Sequence, residues 1–235
     1  FVWMGEILFR TKLSENLFKG LSPWMQKLPG GLIHVNVVGC ALFAAISGSS
    51  AATVATVGKM SIPELRKRNY PEKILLGSLA GSGTLGLLIP PSIILIIYGV
   101  AVQESIAKLF IAGIIPGIMI ALIFMSYVVI WSLINKKEMP KIIEEFSFLE
   151  KIKRSRQLLP VILLILGVIG SIYVGIATAT EAASLGVVGA LILSYFQKSL
   201  TLDTFKSSLL GATKTSCMIA FILAGSTFLS LAMGF

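Results

Sequence analysis

Residues 77–100 read GSLAGSGTLGLLIPPSIILIIYGV. With a different middle, this would be a plain apolar helix able to cross a bilayer. Instead, Gly81-Ser82-Gly83-Thr84-Leu85-Gly86 interrupts it, and Pro90-Pro91-Ser92 follows. Two adjacent prolines remove two backbone donors and disfavour helix just before them. Residues 74–102 are therefore predicted to be a crossing broken in its middle, with Pro91 and Ser92 opening the second half-helix. The competing reading is a kinked but purely structural helix.

A second interruption lies upstream. Residues 32–60 are apolar and nearly free of charge, yet their middle reads Ser47-Gly48-Ser49-Ser50. Glycine inside a helix costs about 1 kcal/mol relative to alanine, and serine prefers caps. Two half-helices joined by a polar tip, forming a re-entrant hairpin, fit better than one rod. Non-helical backbone at membrane depth persists only where protein or a wet cavity surrounds it. The alternative is a surface loop between two spanning helices. The shortness of residues 33–46 and the basic loop that follows argue against it.

Composition sets the class. The 235 residues are 55% hydrophobic, include 22 glycines and are only 13% charged, about half the ~25% usual in soluble domains. A soluble surface this apolar would carry large sticky patches. Uncharged runs at 109–133 and 158–177 match the ~20 residues that span a bilayer core. An all-α polytopic membrane protein is expected. The net charge of +9 lies largely in short loops, without the aromatic interleaving that stacks bases, so no nucleic-acid partner is expected. Cys40 and Cys217 lie in apolar stretches without a CxxC pair and read as small buried hydrophobes. No GxSxG, HExxH, Walker A or paired acid set occurs, so neither an enzyme nor a cofactor is expected. The chain begins at Phe1 without a leader pattern and stops at Phe235 within an apolar segment, as expected of a fragment of a longer membrane protein.

Residues 1–31 read as the end of a helix followed by an amphipathic arm. Leu13, Leu17, Phe18, Leu21, Trp24, Met25 and Leu28 recur at helical spacing, with Arg10, Lys12, Lys19 and Lys27 between them. That pattern suits a helix lying in the membrane interface, broken at Ser22-Pro23 and at Pro29-Gly30-Gly31. Residues 32–134 hold the hairpin (32–60), a basic loop (64–73), the broken helix (74–102) and an intact helix (106–134). Residues 135–157 form a charged loop with seven Lys/Arg and four Glu. Residues 158–235 hold crossings at 158–177 and 181–196, a polar stretch at 197–208 and the start of another crossing at 209–234, with a polar corner at Thr178-Ala179-Thr180-Glu181. Two crossings separate the basic loops 64–73 and 135–157, which places both on one side. The positive-inside rule makes that side cytoplasmic. A re-entrant hairpin puts the basic arm there as well.

A half-helix that ends in the membrane leaves carbonyls that suit a small hard cation. One that starts there offers N–H groups that suit an anion. Two breaks close together are the pattern of an ion-coupled carrier site. Hydroxyls of Ser47, Ser49, Ser50, Thr53 and Thr84, with carbonyls around Gly83, Gly86 and Leu88, are candidate Na⁺ ligands. A proton relay has few carriers: Glu6 and Glu181 lie near segment ends, and Glu181 reads more simply as a helix N-terminal acid. His34 reads as interfacial and structural.

Several stretches carry a family resemblance. AAISGSSAATVATVG (44–58), IPELRKRNYPEK (62–73) and the run from GSLAGSGTLGLLIPPS through LFIAGIIPGIMIAL (77–122) closely resemble the large membrane subunit (DctM-like) of tripartite ATP-independent periplasmic (TRAP) transporters. FVWMGEILFR (1–10) and ATATEAASLGVVGAL (177–191) are similar to that family too. The resemblance implies an elevator-type, Na⁺-coupled importer built from two inverted repeats. This chain would hold most of the first repeat and the start of the second. The Na⁺ site would comprise Ser47, Gly48 and Ser49 at the hairpin tip with Gly86, Leu88 and Pro91 in the break: a Ser47 hydroxyl, Gly86 and Leu88 carbonyls, and Pro91 holding the unwinding. The candidates facing an organic anion are Ser50, Thr53, Gly83, Thr84 and Ser92. Implied partners are a small four-helix membrane subunit, a periplasmic substrate-binding protein and a carboxylate substrate such as a C4-dicarboxylate or sialic acid. The implied location is a bacterial or archaeal inner membrane. Na⁺ is the only metal implied. The alternatives are a stand-alone Na⁺/anion symporter of the wider ion-transporter superfamily and a channel or non-transporting scaffold. The latter would need a continuous polar stripe, whereas this sequence shows discrete breaks.

Overall fold

Helix is the only regular secondary structure among the residues that the computed structural model describes: 1–11, 13–140, 146–156 and 158–234, with 13–15 described by backbone alone. Lys12 and the Leu13 side chain of the arm, residues 141–145 and 157 of the charged loop, and Phe235 lie outside them. In chain order the helices are α1 (Val2–Phe9), α2 (Leu13–Met25), α3 (His34–Ser47), α4 (Ser50–Lys67), α5 (Glu72–Gly83), α6 (Ile93–Ala101), α7 (Ile106–Ile134), α8 (Phe148–Ser155), α9 (Leu159–Tyr173), α10 (Ala179–Phe196) and α11 (Leu202–Met233). Short 3-10 turns at Gly31–Ile33 and Thr84–Leu87 lead into α3 and out of α5.

Helix length separates two kinds of element. Among the described residues α7, α10 and α11, of 29, 18 and 32 residues, are long and apolar enough to cross a membrane. At 1.5 Å per residue they reach about 27 Å or more. The apolar helix Gly31–Ser47 is only 17 residues long, roughly 25 Å. The 12 residues of α5 and 9 of α6 give roughly 18 and 14 Å. None of these three crosses a ~30 Å hydrocarbon core alone. The chain is a multi-pass membrane protein whose short helices cluster around the two predicted breaks.

The centre of the cluster is α3. It packs against α1, α2, α4, α5 and α7, and Phe43, Ala44 and Ile46 on it are fully buried. A helix surrounded by protein carries its polar groups inward only with partners. Asn36 on α3 is fully buried and donates from Nδ2 to Leu75 O (3.2 Å) and to Ser78 Oγ (3.0 Å) on α5. One turn on, Ser82 Oγ donates to Ser78 O, with Asn36 O at 3.4 Å. This ladder sets the register of α5 on α3 beneath the break.

Several elements differ from their expected bounds. Pro23 does not break the arm; it lies inside α2, where its ring forfeits one bond to the preceding turn. The arm's apolar stripe, Leu17, Phe18 and Leu21, is buried against protein, and among the described side chains of the apolar set Trp24 and Leu28 are the exposed ones. The loop placed at 64–73 begins later, because α4 runs through Pro63 to Lys67. The 135–157 loop contains α8, started by a capping box in which Ser147 and Glu150 bind each other's backbone. The expected crossing at 158–177 is helical only over Leu159–Tyr173 and then turns at Gly175 (φ 77°). The polar stretch at 197–208 mostly forms the first turns of α11: Thr201 caps the helix, and Ser208, fully buried, accepts from Trp3 Nε1 at 3.3 Å. His34 is fully buried rather than interfacial, its Nε2 2.7 Å from Pro29 O. Cys40 is buried as expected, but Cys217 is exposed.

Replacing Asn36 with Ala removes both bonds across the α3–α5 contact and leaves Ser78 Oγ and Leu75 O bonded only to each other within α5. A loss of about 1–3 kcal/mol is expected, read as a lower thermal unfolding midpoint of the purified full-length protein. An unchanged midpoint would show that the ladder does not hold α5.

Candidate functional site

The hairpin tip is built by three residues with distinct tasks. Gly48 ends α3 in the left-handed conformation (φ 58°, ψ 11°), which a residue with a Cβ adopts only under strain. Space imposes the same requirement, since a Cβ at Gly48 would stand 2.5 Å from Pro91 O. Ser49 is extended and caps α4, its hydroxyl accepting from Ala52 N at 3.4 Å. Ser47 Oγ is nearly buried, 3.0 Å from Thr53 Oγ1 and 3.3 Å from Ser49 O. Thr53 Oγ1 in turn donates to Ser49 O at 2.7 Å. The tip is thus a closed knot of hydroxyls and carbonyls.

The break follows from its prolines. In a continuous helix the carbonyls of Gly86 and Leu87 would accept from the N–H groups of residues 90 and 91. Both are proline and have none. The last turn tightens to 3-10 over Thr84–Leu87, and both Leu88 N and Ile89 N fall back on Leu85 O. Leu87 O recovers a partner from Ser92 Oγ at 2.7 Å. Among the described residues no backbone or side-chain donor reaches Gly86 O or Leu88 O. The Pro90–Pro91 peptide is cis.

Tip and break meet face to face. Ile93 N, the first N–H of α6, donates to Gly48 O at 3.3 Å. A Cβ at Gly86 would lie 2.9 Å from Ser50 N and 3.1 Å from Ser49 O, so only glycine allows this approach of two backbones. A Cβ at Gly83 would overlap the side chain of Val54. From the other side α7 supports the break through two glycines. A Cβ at Gly113 would be 2.8 Å from Leu88 O, and one at Gly117 3.0 Å from Ile89 Cγ1. Gly5 of α1 presses on the tip in the same way, 2.7 Å from Ser47 Cα by the same construction.

Among the described residues no ionisable side chain takes part. The field comes from four helix ends. The C-termini of α3 and of α5 with its 3-10 turn bring partial negative charge. The N-termini of α4 and α6 bring partial positive charge. A cation is stabilised beside the carbonyls and an anion beside the N–H groups, a few ångströms apart. Ser50 on the first turn of α4 has a buried hydroxyl without a partner.

The structure brings together Ser47, Gly48, Ser49, Ser50, Thr53, Gly83, Gly86, Leu88, Pro91 and Ser92. Thr84 stays apart: it is exposed, and its hydroxyl folds back on Gly81 O at 2.7 Å. Gly83 contributes room rather than a ligand. Pro91 precedes the cap of α6 instead of opening the helix, and the Ser92 hydroxyl points back to Leu87 O rather than forward. Glu6 pairs with Arg10 at 3.0 Å. Glu181 forms a capping box with Thr178, accepting from its N and Oγ1 at 2.8 Å. The residues missed are Gly5, Gly113, Gly117 and the Asn36–Ser78–Ser82 ladder. Only the four-residue spacing of Gly113 and Gly117, and of Ser78 and Ser82, signalled them.

Comparison with known proteins points one way. Residues 1–235 match the family model described as "Tripartite ATP-independent periplasmic transporter, DctM component". The C4-dicarboxylate TRAP transporter large permease protein DctM of Pseudomonas aeruginosa is 35% identical over 227 residues, covering 96% of this chain and 52% of that protein. The ectoine/5-hydroxyectoine TRAP transporter large permease protein UehC of Ruegeria pomeroyi is 34% identical, covering 96% and 52%. The sialic acid TRAP transporter large permease protein SiaM of Vibrio cholerae is 33% identical, covering 97% and 53%. The chain spans about half the length of these relatives.

Gly86→Ala forces the tip off the break and is expected to destabilise by about 1–3 kcal/mol, with faster proteolysis at residues 47–50. Gly77→Ala, with nothing within 4 Å of the added Cβ, is expected to be neutral or to stabilise by up to ~1 kcal/mol. Equal effects at the two glycines would rule out the close approach at Gly86.

Proposed function

This chain belongs to the DctM component family of tripartite ATP-independent periplasmic transporters, and on that footing we propose that its hairpin tip and broken helix form one Na⁺ site and part of the substrate site of an organic-anion importer. The observation that carries this reading is that Ile93 N meets Gly48 O across a break in which Gly86 O and Leu88 O have no donor among the described residues. A Na⁺ ion needs a cage of oxygens to replace its water. Gly86 O and Leu88 O are available, and the Ser47 hydroxyl lies in the same knot. Gly48, Ser49 and Pro91 hold the backbone that carries these oxygens. The helix starts at α4 and α6, with the unpartnered Ser50 hydroxyl, then face a carboxylate, while the Thr53 and Ser92 hydroxyls hold the backbone behind them. C4-dicarboxylates, ectoine and sialic acid, the compounds in the relatives' names, all carry one.

The proposed cycle is mechanical. Na⁺ binds first and ties tip to break. The ordered N–H groups then hold the substrate carboxylate, and the hairpin and broken helix slide as a unit past a fixed scaffold. The second Na⁺ site and the rest of the substrate site belong to the family's second repeat. A small four-helix membrane subunit and a periplasmic binding protein complete the importer, which works in the inner membrane.

Uptake of labelled substrate into liposomes tests this, with the full-length protein, its small subunit and its binding protein. Uptake is expected to collapse when choline replaces Na⁺, and Ser47→Ala is expected to raise the Na⁺ concentration for half-maximal uptake roughly tenfold. Uptake indifferent to the Na⁺ gradient would end the coupling proposal. An unchanged Na⁺ requirement in the variant would remove Ser47 from the site.

A further inference from the structure

A cavity of about 780 Å³ lies away from the tip, walled by parts of α2, α4 and α8 and by residues 9–11 at the end of α1. None of the residues of the proposed Na⁺ site lines it. Its walls combine two chemistries. Arg10, Lys19, Lys59, Arg68 and Arg154 reach it, against Glu64 as the single acidic residue among the described ones. Among the described residues, cations still exceed carboxylates by three when Glu6, the partner of Arg10, is counted as well. Lys59, exposed on α4, makes no ion pair or hydrogen bond among the described residues. Between the charges stand Phe18, Met60, Pro63 and Phe146, and Arg154 lies 4.2 Å above the Phe146 ring.

The surroundings indicate the depth at which this cavity sits. Beside it, Trp24 of α2 meets Phe148 of α8 edge to face at 6.3 Å, and Trp24 Nε1 donates to Ser155 Oγ at 2.7 Å. Lys151 Nζ lies 5.5 Å from the Trp24 ring. An exposed tryptophan with one polar edge and a lysine over its face, on two amphipathic helices, is the signature of the bilayer interface. A soluble anion needs the cations but not the aromatic and thioether walls. A phospholipid uses both. The geometry points to this cavity as a binding site for an anionic phospholipid, its phosphate held by Lys59 of α4 and Arg154 of α8 and its apolar part along Phe18, Met60 and Phe146. Basic pockets between membrane helices on the cytoplasmic side suit such headgroups. Lys59 is nine residues beyond Ser50 on the same helix, roughly 14 Å along its axis, so a bound lipid links the outer end of the hairpin to the arm.

The test uses the full-length protein in nanodiscs of equal phosphatidylglycerol and phosphatidylcholine, with retained lipid counted by native mass spectrometry. Phosphatidylglycerol is expected to be retained at least tenfold over phosphatidylcholine. Lys59→Gln with Arg154→Gln is expected to lower retention about 30-fold at an unchanged unfolding midpoint. Lys206→Gln with Lys214→Gln, on α11 away from the cavity, is expected to leave retention intact. Equal retention of the two lipids, or equal loss in both double variants, would overturn the assignment. So would displacement of phosphatidylglycerol by inorganic phosphate alone, which would mark a soluble-anion site. A cavity that retains no lipid because other protein segments fill it would overturn it as well.

Discussion

Hydrocarbon offers a backbone carbonyl no partner, and two consecutive prolines ensure that some carbonyls of this chain have none along their own helix. The rest of the structure answers that constraint. Ser92 returns a hydroxyl to Leu87 O. The hairpin tip is brought against the break by Gly48 and Gly86, where a side chain would collide with backbone. Gly113 and Gly117 let α7 close the far side. Gly86 O and Leu88 O remain without a donor, in a protein-lined environment where a desolvated cation is the natural complement.

Among the described residues, no ionised side chain lines the candidate site. Four helix ends supply its field, and a single backbone bond from Ile93 N to Gly48 O joins its halves. A neutral oxygen cage neither titrates near physiological pH nor carries the desolvation penalty of a buried carboxylate. It is also weak until filled. One backbone bond with close steric fit makes a joint that, under the proposed function, a bound ion would tighten and its loss would loosen. Beneath the joint the Asn36–Ser78–Ser82 ladder keeps α3 and α5 in register, so tightening at the tip acts on helices that are already fixed.

Breaks were legible in the sequence because they rest on local chemistry. Proline lacks an N–H and glycine lacks a Cβ wherever they stand, so the hairpin tip at 48–49, the break at Pro90-Pro91 and the intact helix Ile106–Ile134 emerged as read, whereas Gly81–Gly83, expected to begin the break, stay helical in α5 because Ser78 and Ser82 are held against α3. Elements governed by tertiary packing did not. Pro23 and Pro63 look like breakers, yet α2 and α4 run through them because buried neighbours such as Leu21 and Leu65 hold those turns in place. Residues 202–208 look like a loop by polarity, but Thr201 caps a helix there and Ser208 is buried under Trp3. His34 looks interfacial by its polarity and is enclosed by protein, with Nε2 paired to Pro29 O. Within the site, Ser47 and Gly86 were legible as polar or small residues at a break. The inward aim of Thr53 and the local closure of Thr84 depend on rotamers, which spacing does not encode.

The central claim is that Na⁺ joins two interrupted helices at Ser47–Ser50 and Gly86–Leu88. Hydrogen exchange of the full-length protein in nanodiscs, compared in NaCl and choline chloride, tests it most directly. The account predicts that Na⁺ slows exchange at residues 47–50 and 84–93 together, over one shared concentration range, and leaves α7 unchanged. Exchange in these two segments that is identical in both salts, or that responds in only one of them, would contradict it.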